Sequence, residues 1–153
     1  MNNLSHVMIG FMVAIGSAGS ASAYKLSPAG TKFTLSGSAG VVINGQFKSC
    51  SITMTGKTAR HGKQSEILTF SDNGTCGAVG TNLPWNVHAR DATTAVIESF
   101  AYTIPNNVCP SKNVQVLVLS SGEWDFRTRV EGTDGPCVMS ADLQSNPPIT
   151  IVP

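Results

Sequence analysis

Apolar and polar residues alternate along most of this chain with a period of two. In "TKFTLSGS", Phe33 and Leu35 alternate with polar or charged neighbours, which is typical of a strand with one buried face. The segment "EWDFRTRV" shows the same split, with Trp124 and Phe126 on one face. No stretch keeps the i, i+3, i+4, i+7 spacing of an amphipathic helix over enough residues to predict one. The pattern therefore predicts an all-β protein.

Turn residues divide this pattern into about nine short strands, at intervals of about 8 to 12 residues. Asn44 and Gly45 separate two β-prone runs. They form the pair that a two-residue type I′ hairpin requires, because both central residues need positive φ. This spacing predicts an antiparallel β-sandwich of the Ig-like or jelly-roll-like type, and a closed barrel is the alternative.

Leu83, Pro84 and Trp85 stand at the start of one predicted strand. Proline cannot donate to a β-ladder, so it fits best just before a strand or at its first residue. From Trp85 onward, Val87 and Ala89 share the face of the tryptophan. Aromatic residues on such a face usually pack inward. We therefore expect Trp85 to be a core anchor whose indole N–H needs one hydrogen-bond partner.

Two stretches place apolar residues at neighbouring positions, namely Val41 to Ile43 and Phe100 to Tyr102. Consecutive apolar residues usually mean a strand that is covered on both faces. If they were exposed, they would form a patch suited to a partner or an oily substrate. We expect burial.

The first residues of the chain indicate export. An apolar run at residues 7–15 leads into small residues, and "ASA" at residues 21–23 matches the A-x-A pattern of signal cleavage. We expect cleavage after Ala23, which makes Tyr24 the first residue of the mature protein. The apolar run is too short for a membrane span, and no comparable run follows.

These observations give an expected domain organisation and compartment. Residues 1–23 would be a secretory signal peptide, and residues 24–153 would form one β-sandwich domain. The mature protein would have no transmembrane segment, and it would be secreted to the periplasm or the extracellular space.

Four cysteines follow the predicted signal peptide: Cys50, Cys76, Cys109 and Cys137. An even number of cysteines in an exported chain indicates disulfides. Four cysteines allow three connectivities. We expect the sequential one, in which each bridge stabilises the fold by roughly 3 kcal/mol in the chain-entropy model.

The charge content excludes some partners. Ten Lys and Arg balance nine Asp and Glu to a formal net charge of +1, so nothing in the charge favours nucleic acid. The basic loop at residues 57–63 lacks the interleaved aromatic residues that stack on bases. Charged residues make up 12% of the chain, about half the usual share. Solubility therefore depends on Ser, Thr, Asn and Gly.

No group of side chains predicts a catalytic, metal or cofactor site. His61 lies in the basic loop and His88 on the outward face of a strand, without the ligand spacing of a known metal site. No G-x-S-x-G motif occurs. Glu123 and Asp125 share one strand face. They indicate a solvated surface, on which charge pairs contribute little to the stability of the fold. Arg127 and Arg129 complete that charged face.

Several segments, taken in order, carry a family resemblance. After the signal come "LSPAGTKFTLSG" and Cys50, then "NLPW" shortly after the second cysteine, then "VHARDATTAVI", and finally "PPITIVP". In this combination the chain resembles the alkane oxidation protein activators of the PraA and PraB type. Leu83, Pro84 and Trp85, together with the "ITIVP" ending, are the most specific part. The charged segment from Glu123 to Glu131 departs from the family's Thr-rich and Ser-rich composition.

The resemblance implies a bacterial, exported, non-enzymatic accessory protein that promotes growth on long-chain alkanes. It implies no cofactor, and its partner would be a hydrophobic substrate or the cell surface. The mechanism that we expect is surface activity at the hydrocarbon–water boundary. The alternatives are a pilin-like, matrix or adhesin subunit and, with less support, a hydrolase without a recognisable motif.

Overall fold

The computed structural model describes residues 23–61 and 64–153, which form β-strands and, within these ranges, no helix. The strands are β1 (Lys25–Ser27), β2 (Lys32–Ile43), β3 (Gln46–Lys57), β4 (Ser65–Asp72), β5 (Val79–Thr81), β6 (Trp85–Ala89), β7 (Thr94–Ile104), β8 (Asn107–Val118), β9 (Glu123–Gly132), β10 (Gly135–Asn146) and β11 (Thr150–Val152). The described part of the chain thus holds no helix that could cross a membrane. The predicted signal peptide lies outside these residues except for Ala23.

Strands β2 to β10 form a closed antiparallel barrel. Each strand pairs with its neighbours in the chain, and β5 and β6 share one position between β4 and β7, which gives eight positions. The ring closes where β10 pairs with β2, from Met139↔Val41 to Asn146↔Thr34. The expected two-sheet sandwich is therefore wrong, and the closed barrel is observed.

The difference between the two architectures has a physical reason. Period-two alternation identifies which side chains face inward, and both a sandwich and a barrel bury one face of each strand. Closure depends on the pairing of β2 with β10, two strands that lie at opposite ends of the sequence. No local pattern reports such a pairing.

The first and last strands form a separate antiparallel pair. Lys25 pairs with Val152, and Ser27 pairs with Thr150. The opening "KLS" and the closing "TIV" of the chain are thus held together. Leu26 is buried in the core, and Ile151 packs against it.

Side chains from the inner faces of the strands fill the barrel. An eight-stranded barrel is just wide enough for its interior to be filled in this way. Val41, Ile43, Phe100, Ala101 and Tyr102 are buried, as expected. Val42 is only partly buried, because alternate side chains of β2 point to the outer face of the barrel, so burial is incomplete there. The ring centroids of Phe100 and Phe126 lie 5.5 Å apart in an edge-on arrangement.

The meander places alternate turns at opposite ends of the barrel. The hairpin end carries the connections at residues 44–45, 73–78, 105–106 and 133–134. Its first turn has positive φ at Asn44 (51°) and Gly45 (75°), as the type I′ prediction requires. The opposite end carries the connections at residues 58–64, 90–93 and 119–122. We call it the basic end, because Lys25, Lys32, Lys57 and Arg60 lie there.

Candidate functional site

The connection from β5 to β6 contains the motif residues Leu83 and Pro84, and β6 begins with Trp85. The Leu83–Pro84 peptide bond is cis, and Trp85 is almost fully buried. The Trp85 indole N–H donates to the carbonyl oxygen of Thr81 at 2.8 Å. Its ring centroid lies 4.5 Å from that of Phe100. The motif thus connects two short strands and anchors the second one in the core.

The four cysteines form two bridges, Cys50–Cys76 and Cys109–Cys137, which is the sequential pairing. Both bridges lie at the hairpin end. The first ties β3 to the β4–β5 connection. The second joins β8 to β10 and so spans β9. The two bridges therefore cross-link this end of the barrel at two places.

Cys50, Asp72 and Cys76 bring three potential metal-ligand atoms together. The two sulfur atoms are bonded to each other, so they offer no thiolate to a metal ion. Asp72 accepts hydrogen bonds from the backbone N–H groups of Gly74, at 2.6 Å, and Ala78, at 2.7 Å. This carboxylate shapes the β4–β5 connection.

The two histidines of the described chain have different surroundings. His88 Nδ1 lies 3.1 Å from a carboxylate oxygen of Glu98, and both side chains are largely exposed. His61 is exposed in the β3–β4 connection, with a φ of 49°. Among the described residues, the one group of potential metal ligands includes neither histidine.

An acidic row crosses the outer wall of the barrel. Asp125 pairs in register with Asp142 on β10, and Glu123 lies two residues before it on the same face. Burial, and then the charges of Glu123 and Asp142, raise the pKa of Asp125 above its usual value. One carboxylate oxygen of Asp125 is buried without a hydrogen-bond partner. Glu123 and Asp125 are partly exposed, and Arg127 and Arg129 are exposed. This face therefore meets solvent except at the buried Asp125 oxygen.

The barrel interior holds one polar group without a partner. The Tyr102 hydroxyl is buried and accepts or donates no hydrogen bond. Burial raises the pKa of Tyr102 well above its usual value, so the phenol stays neutral. Its ring lies 5.5 Å from that of Phe100, within the aromatic core. A neutral phenol in this position can contribute packing but no proton transfer near neutral pH.

The feature that stands out is a set of exposed apolar side chains at the hairpin end. Phe47, Val79 and Val108 are 70%, 57% and 52% exposed, the highest values among the large exposed hydrophobic residues. We call these three residues the apolar tip. Val79 and Val108 lie on either side of Thr103 in a single row across β5, β7 and β8.

Phe47 belongs to the same end of the barrel. It follows the β2–β3 turn, pairs with Val42 and covers Gly40, where a Cβ atom would collide with its ring. The Cys50–Cys76 bridge brings the segment that leads into Val79 close to β3, and the Cys76 sulfur lies 4.0 Å from the Lys48 carbonyl oxygen. The sequence pattern did not lead us to predict the apolar tip, although Phe47 alternates with the buried Cys50 on the same strand.

Comparisons with known proteins give one match. The family model described as "Alkane oxidation protein activator PraA/PraB-like" matches residues 1–153, the whole chain. No curated protein matches. No solved structure matches either.

Proposed function

This chain belongs to the PraA/PraB-like family of alkane oxidation protein activators, and we propose that it is an exported, non-catalytic accessory protein that promotes the use of long-chain alkanes. It acts by adsorbing at the hydrocarbon–water boundary or at the cell surface. The family description supports a role as an activator of alkane oxidation. Export and surface activity are our own inferences.

Two features support export and a non-catalytic role. Both bridges are compatible with an oxidising compartment, the periplasm or the extracellular space, and the described residues hold no free cysteine. The described histidines form no nucleophile–base pair, since His88 contacts the Glu98 carboxylate and neither histidine is hydrogen-bonded to a hydroxyl group within the described residues. These features favour a protein that acts through its surface.

The observation that carries the proposal is the apolar tip. Its three side chains lie at one end of the barrel, and the cations of the basic end lie at the other. Moving the exposed parts of Phe47, Val79 and Val108 from water into oil is worth roughly 3 kcal/mol in total. This free energy corresponds to roughly a hundredfold partitioning. Such a value suits reversible adsorption with the hairpin end toward the oil.

The test compares the oxidised protein with a variant of the tip. The triple variant Phe47→Ser, Val79→Thr and Val108→Thr removes apolar surface at exposed positions and should leave the fold unchanged. A control variant, Leu68→Thr and Leu117→Thr, removes exposed apolar surface from the wall, where Leu68 is 40% and Leu117 is 44% exposed. We expect native protein and control to lower the hexadecane–water interfacial tension, and the tip variant to lose most of this effect.

A growth experiment tests the biological role. Deletion of the gene should slow growth on hexadecane and leave growth on a soluble carbon source unchanged. The native gene should restore growth on hexadecane, and the tip variant should not. Equal growth of the deletion strain on both carbon sources would contradict the proposal.

A pilin-like or matrix subunit is the second candidate function, and one observation favours it. The ladder between β8 and β9 has three residue pairs, from Val116↔Phe126 to Val118↔Trp124, although these strands have 12 and 10 residues. Strand backbone beyond a short ladder can pair with a strand of another chain. Fibres of oxidised protein in electron micrographs would support this function, and a monomer at high concentration would argue against it.

A further inference from the structure

The basic end carries an open polar cleft of about 600 Å³. Its lining side chains come from the β3–β4 connection and from three neighbouring strands. They include Lys57, Arg60, His61, Gln64, Glu66 and Asn86. Neither the family description nor the proposed surface activity assigns any role to this cleft.

The floor of the cleft is formed by paired residues of β3, β4 and β6. Lys57 pairs with Glu66 across β3 and β4, and Glu66 pairs with Asn86 across β4 and β6. Side chains of directly paired residues point to the same face of a sheet. A cation, a carboxylate and an amide therefore stand side by side in one row.

The wall above this floor is held by buried side chains. Thr58 is buried, accepts a hydrogen bond from the Thr31 N–H at 2.8 Å and donates one to the Pro28 carbonyl. The buried Ser65 hydroxyl accepts a bond from the Ala59 N–H at 2.7 Å. These contacts anchor the backbone just before Arg60 and the start of β4, and so fix the strand ends between which the cleft lies.

The aliphatic part of Arg60 lies against Gly30. A Cβ atom at Gly30 would lie 3.0 Å from Arg60 Cδ, which is closer than most real contacts of this kind. The glycine thus leaves room for the arginine side chain at the cleft wall.

Neither Lys57 nor Arg60 has a carboxylate within ion-pair distance in the described part of the chain, although Glu66 is the cross-strand neighbour of Lys57. Within residues 23–61 and 64–153, the one ion pair joins His88 to Glu98. Lys57 and Arg60 therefore both keep their hydrogen-bond donors for solvent or a ligand. An arginine guanidinium binds carboxylate and phosphate groups through two parallel N–H···O bonds.

The other side chains that line the cleft can form hydrogen bonds with hydroxyl groups of a ligand. The amides of Gln64 and Asn86 offer both donors and acceptors, and the Glu66 carboxylate accepts. The Glu66 carboxylate would repel a simple inorganic anion. A ligand that combines an acidic group with neighbouring hydroxyl groups uses all of these side chains.

We propose that this cleft binds an acidic sugar, a ring that carries a carboxylate or phosphate group. The acidic group contacts Lys57 and Arg60. The ring hydroxyls contact Gln64, Glu66 and Asn86. The proposal does not depend on surface activity, because the cleft lies at the end opposite the apolar tip.

The binding experiment uses the oxidised full-length mature chain and four probes. Glucuronate and glucose 6-phosphate are the acidic sugars, glucose tests the hydroxyl contacts alone, and acetate tests the charge alone. Amide chemical shifts report where each probe binds. We expect both or one of the acidic sugars to shift residues around the cleft at millimolar concentration, and glucose and acetate to bind at least tenfold more weakly. The stronger acidic sugar identifies whether a carboxylate or a phosphate is preferred.

Two matched variants separate a site from general attraction of anions. Arg60→Gln keeps the aliphatic atoms near Gly30 and removes the guanidinium, and it should weaken binding about tenfold. Arg127→Gln removes the same charge from the far wall and should leave binding unchanged. Equal weakening by both variants would contradict the proposal, as would equal binding of acetate and glucuronate.

The variant Glu66→Ala gives the sharpest result, because the two explanations predict opposite signs. If the carboxylate accepts bonds from sugar hydroxyls, Glu66→Ala weakens the binding of the acidic sugar. If the cleft only attracts negative charge, Glu66→Ala strengthens it, and the proposal is wrong. Thermal unfolding of each variant shows whether the fold is intact, and an unfolded Glu66→Ala is replaced by Glu66→Met, which removes both the charge and the acceptor and for which the same signs hold.

Discussion

The two ends of the barrel are stabilised in different ways and present different surfaces. Two disulfides cross-link the hairpin end, and its apolar tip is exposed. Hydrogen bonds of Thr58 and Ser65 hold the basic end, and most of its exposed charged side chains are cations.

This difference has a physical consequence. A disulfide keeps its strength when its surroundings lose water, so the cross-linked end can approach oil without loosening. Exposed cations lose their hydration on entering oil, at a large cost in free energy. The basic end carries Lys25, Lys32, Lys57 and Arg60, whereas Lys48 is the cation beside Phe47 at the hairpin end. We therefore expect only the hairpin end to enter a hydrocarbon surface.

The largest effect should follow removal of the bridge between β8 and β10. Cys109→Ala with Cys137→Ala opens a link with a sequence separation of 28 residues, which costs about 3–4 kcal/mol in the chain-entropy model. Both cysteines are buried in the core, so the loss of packing adds to this cost. We expect thermal unfolding to occur about 10 °C lower or more.

The other bridge provides the comparison for this variant. Cys50→Ala with Cys76→Ala opens a link with a separation of 26 residues, and the entropic cost should be nearly the same. A smaller total loss is expected because Cys76 lies in a connection outside the strands. If removal of both bridges changed the melting temperature by less than about 2 °C, the hairpin end would not depend on cross-links.

A smaller loss should follow the change Thr58→Val at the basic end. Valine has nearly the shape of threonine but cannot bond the Thr31 N–H or the Pro28 carbonyl, so two backbone groups lose their partner. The expected cost is about 1–3 kcal/mol, measured by denaturant unfolding. Thr55→Val is the matched control on the same strand, because it removes an exposed bond to the Thr69 hydroxyl and should cost much less. Equal losses of stability in the two variants would show that the Thr58 hydrogen bonds stabilise the fold no more than an exposed hydrogen bond does.

The smallest effect is expected on the wall between the two ends, for Asp125→Asn. The pKa of Asp125 is raised in the folded protein, so the folded state holds this proton more tightly than the unfolded state does. The stability that the proton provides is therefore present in acid and is lost as the pH rises through the pKa of Asp125. Asparagine should raise the melting temperature slightly, by about 1–3 °C, near pH 7.

The pH profile of this variant is its control. Near pH 3 most of the Asp125 side chain is protonated in both states, and the advantage of asparagine should vanish. Glu131→Gln removes an equal charge from an exposed position on the same strand and should show a weaker pH dependence. An advantage that does not change with pH would mean that the charges of Glu123 and Asp142 play no part.

Much of the strand pattern can be predicted from the sequence because its causes are local. The inward face of β6, with Trp85, Val87 and Ala89, follows from period-two alternation, and all three are buried. The β2–β3 hairpin follows from the positive φ that Asn44 and Gly45 tolerate. The sequential disulfides follow only as one of three possibilities, since spacing alone does not place two cysteines together.

The closure and the two surfaces require information that is not local. The pairing of β10 with β2 and the contact of Asp125 with Asp142 depend on strand register across the sheet. The sequence did contain a signal for the apolar tip. Side chains alternate along a strand, so Phe47 points to the face opposite Cys50 on β3, and Val108 to the face opposite Cys109 on β8. Because both cysteines face inward, both apolar side chains face outward. The cleft at the basic end had no such signal, because its side chains come from separate strands.

The central claim is that the hairpin end enters the oil and the basic end stays in water. Two exposed lysines report on this directly, since Lys48 follows Phe47 at the hairpin end and Lys57 lies at the basic end. A water-soluble acylating reagent is applied to the protein free in solution and adsorbed on hexadecane droplets, and labelling is measured by peptide mass spectrometry. We predict that adsorption strongly reduces labelling of Lys48 and leaves that of Lys57 nearly unchanged. Equal protection of both lysines, or protection of Lys57 alone, would contradict the account.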